Sequence, residues 1–126
     1  MAVAKTVYVV DDDPAILKAV KRLLKTHALD AEVFESAEDF NERADPRGAL
    51  CLVLDIHMKG MSGIELSRQL ADEGISPPVI FISADDTEAT RRATREAGCV
   101  AYLAKPFRMK SLIEAIGRAS AVGRTQ

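Results

Sequence analysis

Three carboxylates in this 126-residue sequence close apolar runs, a placement that suits them for chemistry. Asp11 and Asp12 follow Thr6-Val7-Tyr8-Val9-Val10, and Asp55 follows Leu50-Cys51-Leu52-Val53-Leu54. Two more runs end on other reactive types: Val79-Ile80-Phe81-Ile82 on Ser83, and Val100-Ala101-Tyr102-Leu103-Ala104 on Lys105. An acid at a strand end is also an ordinary turn or cap residue, so none of them decides anything alone. Together they offer a carboxylate nucleophile, two further carboxylates, a hydroxyl and an ammonium. Crowded carboxylates repel one another unless a cation sits among them or the group does work there. The donors are all oxygens, with no His/Cys pair at a metal spacing, which favours a hard divalent ion, Mg²⁺ above all. A magnesium ion beside a carboxylate nucleophile and a lysine suits phosphoryl transfer. Metal and Lys105 neutralise the phosphoryl oxygens while Asp55 attacks, and the Ser83 hydroxyl donates to the transferred group.

The elements that must position these groups alternate regularly. The five strands are Thr6–Val10, Ala31–Phe34, the central run ending on Asp55, Val79–Ile82 and Val100–Ala104. Buried parallel strands read as continuous apolar runs of this kind. Between them lie helical patterns. Asp13-Pro14 gives an N-cap and a first-turn proline, followed by the stripe Ile16, Leu17, Val20, Leu23, Leu24. Ser36-Ala37-Glu38-Asp39-Phe40 is a capped start for a brief second helix. The third runs from Ile64 to Ala71. The fourth runs from about Glu88 to Ala97, with Ala89, Ala93 and Ala97 as its inward stripe, too small to pack firmly. The last uses Leu112, Ile113 and Ile116. Five strands alternating with five helices predict a doubly wound parallel sheet with right-handed crossovers. In the order 2-1-3-4-5, strands 1 and 3 meet at the topological switch point. Asp11, Asp12 and Asp55 then share one crevice, with Ser83 and Lys105 on its other side.

The length fits one domain over 1–126, with an ordered core over about 5–120 and 121–126 as a frayed tail or the start of a linker. Net charge is −2, and the longest apolar runs reach about six residues. This gives no argument for bulk binding to nucleic acid or for a membrane span. The first residues lead straight into a strand with no signal-peptide pattern. Cys51 and Cys99 are far apart in apolar contexts and are expected as reduced thiols in a cytoplasmic protein.

Val10-Asp11-Asp12, Asp55 followed by Met58, Gly60-Met61-Ser62-Gly63, Ile82-Ser83-Ala84 and Lys105-Pro106-Phe107 occur in this order. Through them the chain resembles the CheY-like receiver domains of two-component response regulators over about residues 5–120. Phe34-Glu35-Ser36-Ala37-Glu38-Asp39-Phe40 brings it nearest to the FixJ-type subgroup. The resemblance implies that Asp55 accepts phosphate from a histidine kinase or a histidine phosphotransfer protein. It implies a Mg²⁺ site at Asp55, Asp12 (directly), Asp11 (mainly through water) and the backbone carbonyl of His57. Ser83 and Lys105 are then the phosphoryl contacts, Tyr102 the switch aromatic, and the Lys105-Pro106 bond cis. The output is a change in the face made by helix 4, strand 5 and helix 5, controlling an effector or forming a homodimer, in transcriptional regulation. Such a domain catalyses its own phosphorylation and dephosphorylation but turns over no separate substrate.

Two residues depart from the pattern. Lys59 stands where the family usually has proline, and His57 puts an imidazole at the mouth of the site, where with Asp85 it flanks the path of a hydrolytic water. Competing classes fit less well. A haloacid-dehalogenase-like phosphatase also uses an Asp nucleophile and Mg²⁺, but needs a second Asp where His57 stands. A flavodoxin-like cofactor carrier needs a phosphate loop where Asp11-Asp12-Asp13 would repel phosphate. A pseudo-receiver acting only as a binding module would not need the complete set of site residues.

Overall fold

The computed structural model describes residues 6–124. The expectations for residues 1–5 and 125–126 lie outside the described residues. The elements run β1 (Thr6–Val10), α1 (Pro14–Thr26), β2 (Asp30–Phe34), α2 (Ala37–Arg43), β3 (Cys51–Asp55), α3 (Gly63–Asp72), β4 (Val79–Ser83), α4 (Glu88–Ala97), β5 (Ala101–Ala104) and α5 (Met109–Arg124). The five strands form one parallel sheet in the order β2-β1-β3-β4-β5, as expected.

Side chains alternate across a strand, so each strand feeds two cores. Val7, Val9, Cys51, Val53, Ile80 and Ile82 pack against α1 and α5 through Leu17, Val20, Leu24, Leu112 and Ile116. Tyr8, Val10, Leu52, Leu54 and Phe81 face the other way, onto Phe40 of α2 and Leu66 and Leu70 of α3. Tyr8, Phe34 and Phe40 form an aromatic cluster with centroids 5.3–6.2 Å apart. The central strands β3 and β4 are buried throughout, which makes the sheet a rigid mount for whatever stands at its carboxyl edge.

The caps match the sequence where it was explicit. Asp13 accepts the Ala15 N–H with Pro14 at the first helical position, and Ser36 accepts the Asp39 N–H. Two expectations need correction. The buried positions of α4 are Thr90 and Thr94, while Ala89 is exposed and Ala93 and Ala97 are half-buried. The Thr94 hydroxyl donates to the Arg91 carbonyl (2.8 Å), and the Thr90 hydroxyl accepts from Thr87 (3.0 Å). With its hydroxyl satisfied locally, threonine buries at little cost. The stretch expected as a tail after residue 120 is helical as far as Arg124.

Candidate functional site

Register places the acids. Val10 pairs with Leu54 across β1 and β3, so the residues that follow them, Asp11 and Asp55, stand side by side at the switch point. Asp55 is level with Ile82, and Ser83 with Ala104, so Lys105 emerges beside Ser83. One oxygen each from Asp11, Asp12 and Asp55 lies within 4.8 Å of the others. Asp11 and Asp55 are 0% and 2% exposed, while Asp12 stands at the solvent side. The Lys105 ammonium reaches over both buried acids, 2.9 Å from Asp11 Oδ2 and 3.3 Å from Asp55 Oδ2. The Lys105-Pro106 peptide bond is cis.

Two buried carboxylates thus share one cation. Burial, with the charge of Asp11 acting in the same direction, pushes the Asp55 carboxyl up to about 7 against the opposing pull of Lys105. Burial alone would lower the Lys105 ammonium, but its contacts with Asp11 and Asp55 outweigh burial and hold it above its ordinary value. Asp11 Oδ1 accepts the Asp13 N–H at 2.9 Å, whereas the buried Asp11 Oδ2 is met by the Lys105 ammonium and by no backbone donor. An all-oxygen cluster of three carboxylates, two of them sharing one ammonium, carries the surplus negative charge that a hard divalent cation fits.

Gly63 explains how the loop after Asp55 closes. Its N–H donates to the Ile56 carbonyl (3.2 Å), and a Cβ at this position would overlap the Asp55 carbonyl oxygen. Glycine is needed here for close approach. At Gly60, φ is 78°, and the conformation itself calls for glycine.

Ser83 is buried at the strand end, and its hydroxyl is engaged by the backbone of Asp85. It accepts the Asp85 N–H (3.0 Å) and donates to the Asp85 carbonyl (3.1 Å). His57 and Asp85 do face each other across the mouth, Nε2 to Oδ2 3.6 Å, both half exposed. Lys59 is exposed in the same loop. Tyr102 is half-buried, and its hydroxyl donates to Asp86 Oδ1 at 3.2 Å. Arg91 binds both oxygens of Asp86 (2.6 and 2.9 Å) and lies over the Tyr102 ring, 5.7 Å from its centroid. Asp86 therefore links α4 to the aromatic of β5, while Thr87 is the cap of α4. The five-residue spacing of Asp86 and Arg91 is no standard helical pairing, so the contact has no signal in the sequence.

These geometries match what residues 7–117 show by comparison, a match to the response regulator receiver domain family. The chain belongs to that family. Among relatives of this receiver domain, the transcriptional regulatory protein TdiR of Thauera aromatica is 36% identical over 122 residues, covering 96% of this chain and 53% of TdiR. The transcriptional regulatory protein FixJ of Rhizobium meliloti is 37% identical over 116 residues, covering 91% of this chain and 56% of FixJ. The crystal structure of FixJ-N superposes with a TM-score of 0.83 at 35% identity, covering 96% of both chains. The chain spans about half the length of the curated relatives it matches. Response regulators work in two-component signalling, and a receiver domain is not an enzyme in the ordinary sense. Among the described residues no helix is long and apolar enough to cross a membrane.

The Asp86–Arg91 pair ties the start of α4 to β5 through Tyr102. Asp86→Ala removes both the acceptor of the Tyr102 hydroxyl and the anchor of Arg91, and is expected to speed amide hydrogen exchange several-fold across residues 84–97 while leaving β1 and β3 unchanged. Unaltered exchange in the variant would show that this contact does not restrain α4.

Proposed function

We propose that this receiver is a phosphorylation-controlled switch in which Asp55 takes a phosphoryl group from the phosphohistidine of a histidine kinase or a histidine phosphotransfer protein. The observation that carries the reading is the pairing of buried Asp11 and Asp55 beneath the single Lys105 ammonium. We read 1–126 as one receiver unit on the cytoplasmic side, and its net charge of −2 gives it no bulk attraction for nucleic acid. Asp11, Asp12, Asp55 and the backbone carbonyl of His57 are the groups that would hold Mg²⁺. When bound, Mg²⁺ supplies positive charge to the phosphoryl oxygens. Lys105 supplies it from the protein side. In the transfer, an Asp55 carboxylate oxygen bonds to phosphorus and the donor's phosphorus–nitrogen bond breaks. Its electron pair returns to the imidazole, which takes up a proton from solvent. Hydrolysis of the resulting acyl phosphate resets the domain without turnover of a separate substrate.

The Ser83 hydroxyl then exchanges Asp85 for a phosphoryl oxygen, and Tyr102 exchanges Asp86 for an inward position. This reshapes the face of α4, β5 and α5. A bias of a few kcal/mol between two arrangements is enough to shift the population. The output is homodimerisation through that face or control of an effector. Transcriptional regulation is the setting favoured by what TdiR and FixJ are described as doing.

Incubation with acetyl phosphate tests the reading. With Mg²⁺ the intact mass should rise by one phosphate, removable by mild base as an acyl phosphate is. Without Mg²⁺, and in Asp55→Asn, the gain should be absent. Phosphate incorporated by Asp55→Asn at the wild-type rate would contradict the assignment.

A further inference from the structure

The loop between β3 and α3 carries His57, and its two ends are well fixed. The Ile56 N–H donates to the Ile82 carbonyl (2.9 Å) at one end. At the other, Ser62 and Glu65 form a reciprocal capping box. Between them lie Lys59, which lacks proline's rigidity, and Gly60, the most permissive residue. The middle of the loop is nonetheless held from outside. Glu38, in the first turn of α2, sends its carboxylate across to accept the Met61 N–H at 3.0 Å. The fit is close: a Cβ on Gly60 would stand 2.7 Å from Glu38 Oε2.

We infer that Glu38 is a positioning residue for the metal site. By bonding Met61 it fixes the loop that presents the His57 carbonyl, and so links α2 to the phosphoryl site. The inference rests on the proposed metal reading. Three features support it. The Met61 N–H holds the Glu38 carboxyl below the usual carboxylate range, so the acceptor stays charged at neutral pH. A carboxylate in the first turn of a helix is favourable with respect to the helix dipole. Half-buried Met58 and Met61 pack on the same aromatic core as α2, so loop and helix share a floor. A glutamate merely improving α2 would touch none of this.

Calorimetric titration of the metal-free protein with Mg²⁺ separates the two roles. Glu38→Ala should weaken Mg²⁺ binding about tenfold, the low end of what outer partners of metal ligands contribute. Glu38→Gln keeps a carbonyl acceptor and should restore most of the affinity. Asp39→Ala, which removes the Asp39–Arg43 pair of the same helix (2.7 Å), should lower the melting temperature without changing the Mg²⁺ constant. In metal-free protein the Met61 amide should exchange faster in Glu38→Ala than in wild type. Equal Mg²⁺ constants in wild type and Glu38→Ala would overturn the inference while leaving the metal reading intact. A wild type that binds no Mg²⁺ would overturn both.

Discussion

Gly63→Ala is expected to lower the melting temperature by roughly 10 °C and to cut phosphate incorporation at Asp55 at least tenfold. Alanine in a helix ordinarily gains about 1 kcal/mol over glycine, but the surroundings of Gly63 reverse that sign. The new methyl overlaps the Asp55 carbonyl oxygen and lies 3.2 Å from Leu54 Cβ. Neither can give way easily. Asp55 and Leu54 belong to β3, which is buried on all five positions and bonded on both edges by β1 and β4. Overpacking into such a place costs about 1–3 kcal/mol or more, which outweighs the propensity gain. The displaced backbone is that of Asp55, the proposed nucleophile, so phosphate incorporation should suffer beyond the loss of stability. Gly117→Ala is the internal comparison. A Cβ at Gly117 meets nothing within 4 Å, so the same substitution at this exposed position of α5 should stabilise by about 0.5–1 kcal/mol. Melting curves and acetyl-phosphate labelling of the two variants check both signs. A Gly63→Ala protein as stable as wild type would show that the loop is free to move off β3.

The second large effect concerns the charge stored in the metal-free site. Asp55 has a folded value near 7 against an ordinary 3.8. Below pH 4 the carboxyl is protonated in folded and unfolded chains alike and contributes nothing. Between about pH 4 and 7 the unfolded chain releases its proton first, so the folded state loses stability as pH rises. Above 7 the cost is fully present. Asp55→Asn removes this dependence and leaves Lys105 paired with Asp11. In chelator, the variant should therefore be more stable than wild type by up to about 4 kcal/mol at pH 8, with the difference shrinking towards zero by pH 4. Denaturant melts across that range measure it. A variant less stable than wild type at pH 8 would mean that the Asp55–Lys105 contact outweighs repulsion from Asp11.

The path from sequence to site was short where hydrophobic runs end on chemistry. An apolar strand terminating at Asp55 needs only the parallel topology to stand beside Asp11, and the pairing of Val10 with Leu54 provides it. The caps at Asp13 and Ser36 could be read because they are local. What escaped the sequence depends on distance through space. Thr90 and Thr94 look polar by composition, and only the hydrogen bonds of their hydroxyls make them interior residues. Glu38 and Met61 are 23 positions apart. Glu38 read as a first-turn acid of α2, with no pattern to point across to the next loop. The close approach of Gly63 to Asp55 is likewise invisible until β3 and α3 are folded together. Ser83 was placed correctly at the edge, but its hydroxyl bonds Asp85, a rotamer choice the chain does not spell out.

In the proposed switch Asp55, and no other acid of the cluster, bears the phosphate. Borohydride reduction after acetyl-phosphate labelling in Mg²⁺ converts a phosphorylated aspartate to homoserine, and peptide mass spectrometry then locates it. The predicted result is homoserine at position 55 alone, with Asp11 and Asp12 unmodified. Homoserine at position 11 or 12 in the wild-type protein, with position 55 intact, would contradict the account.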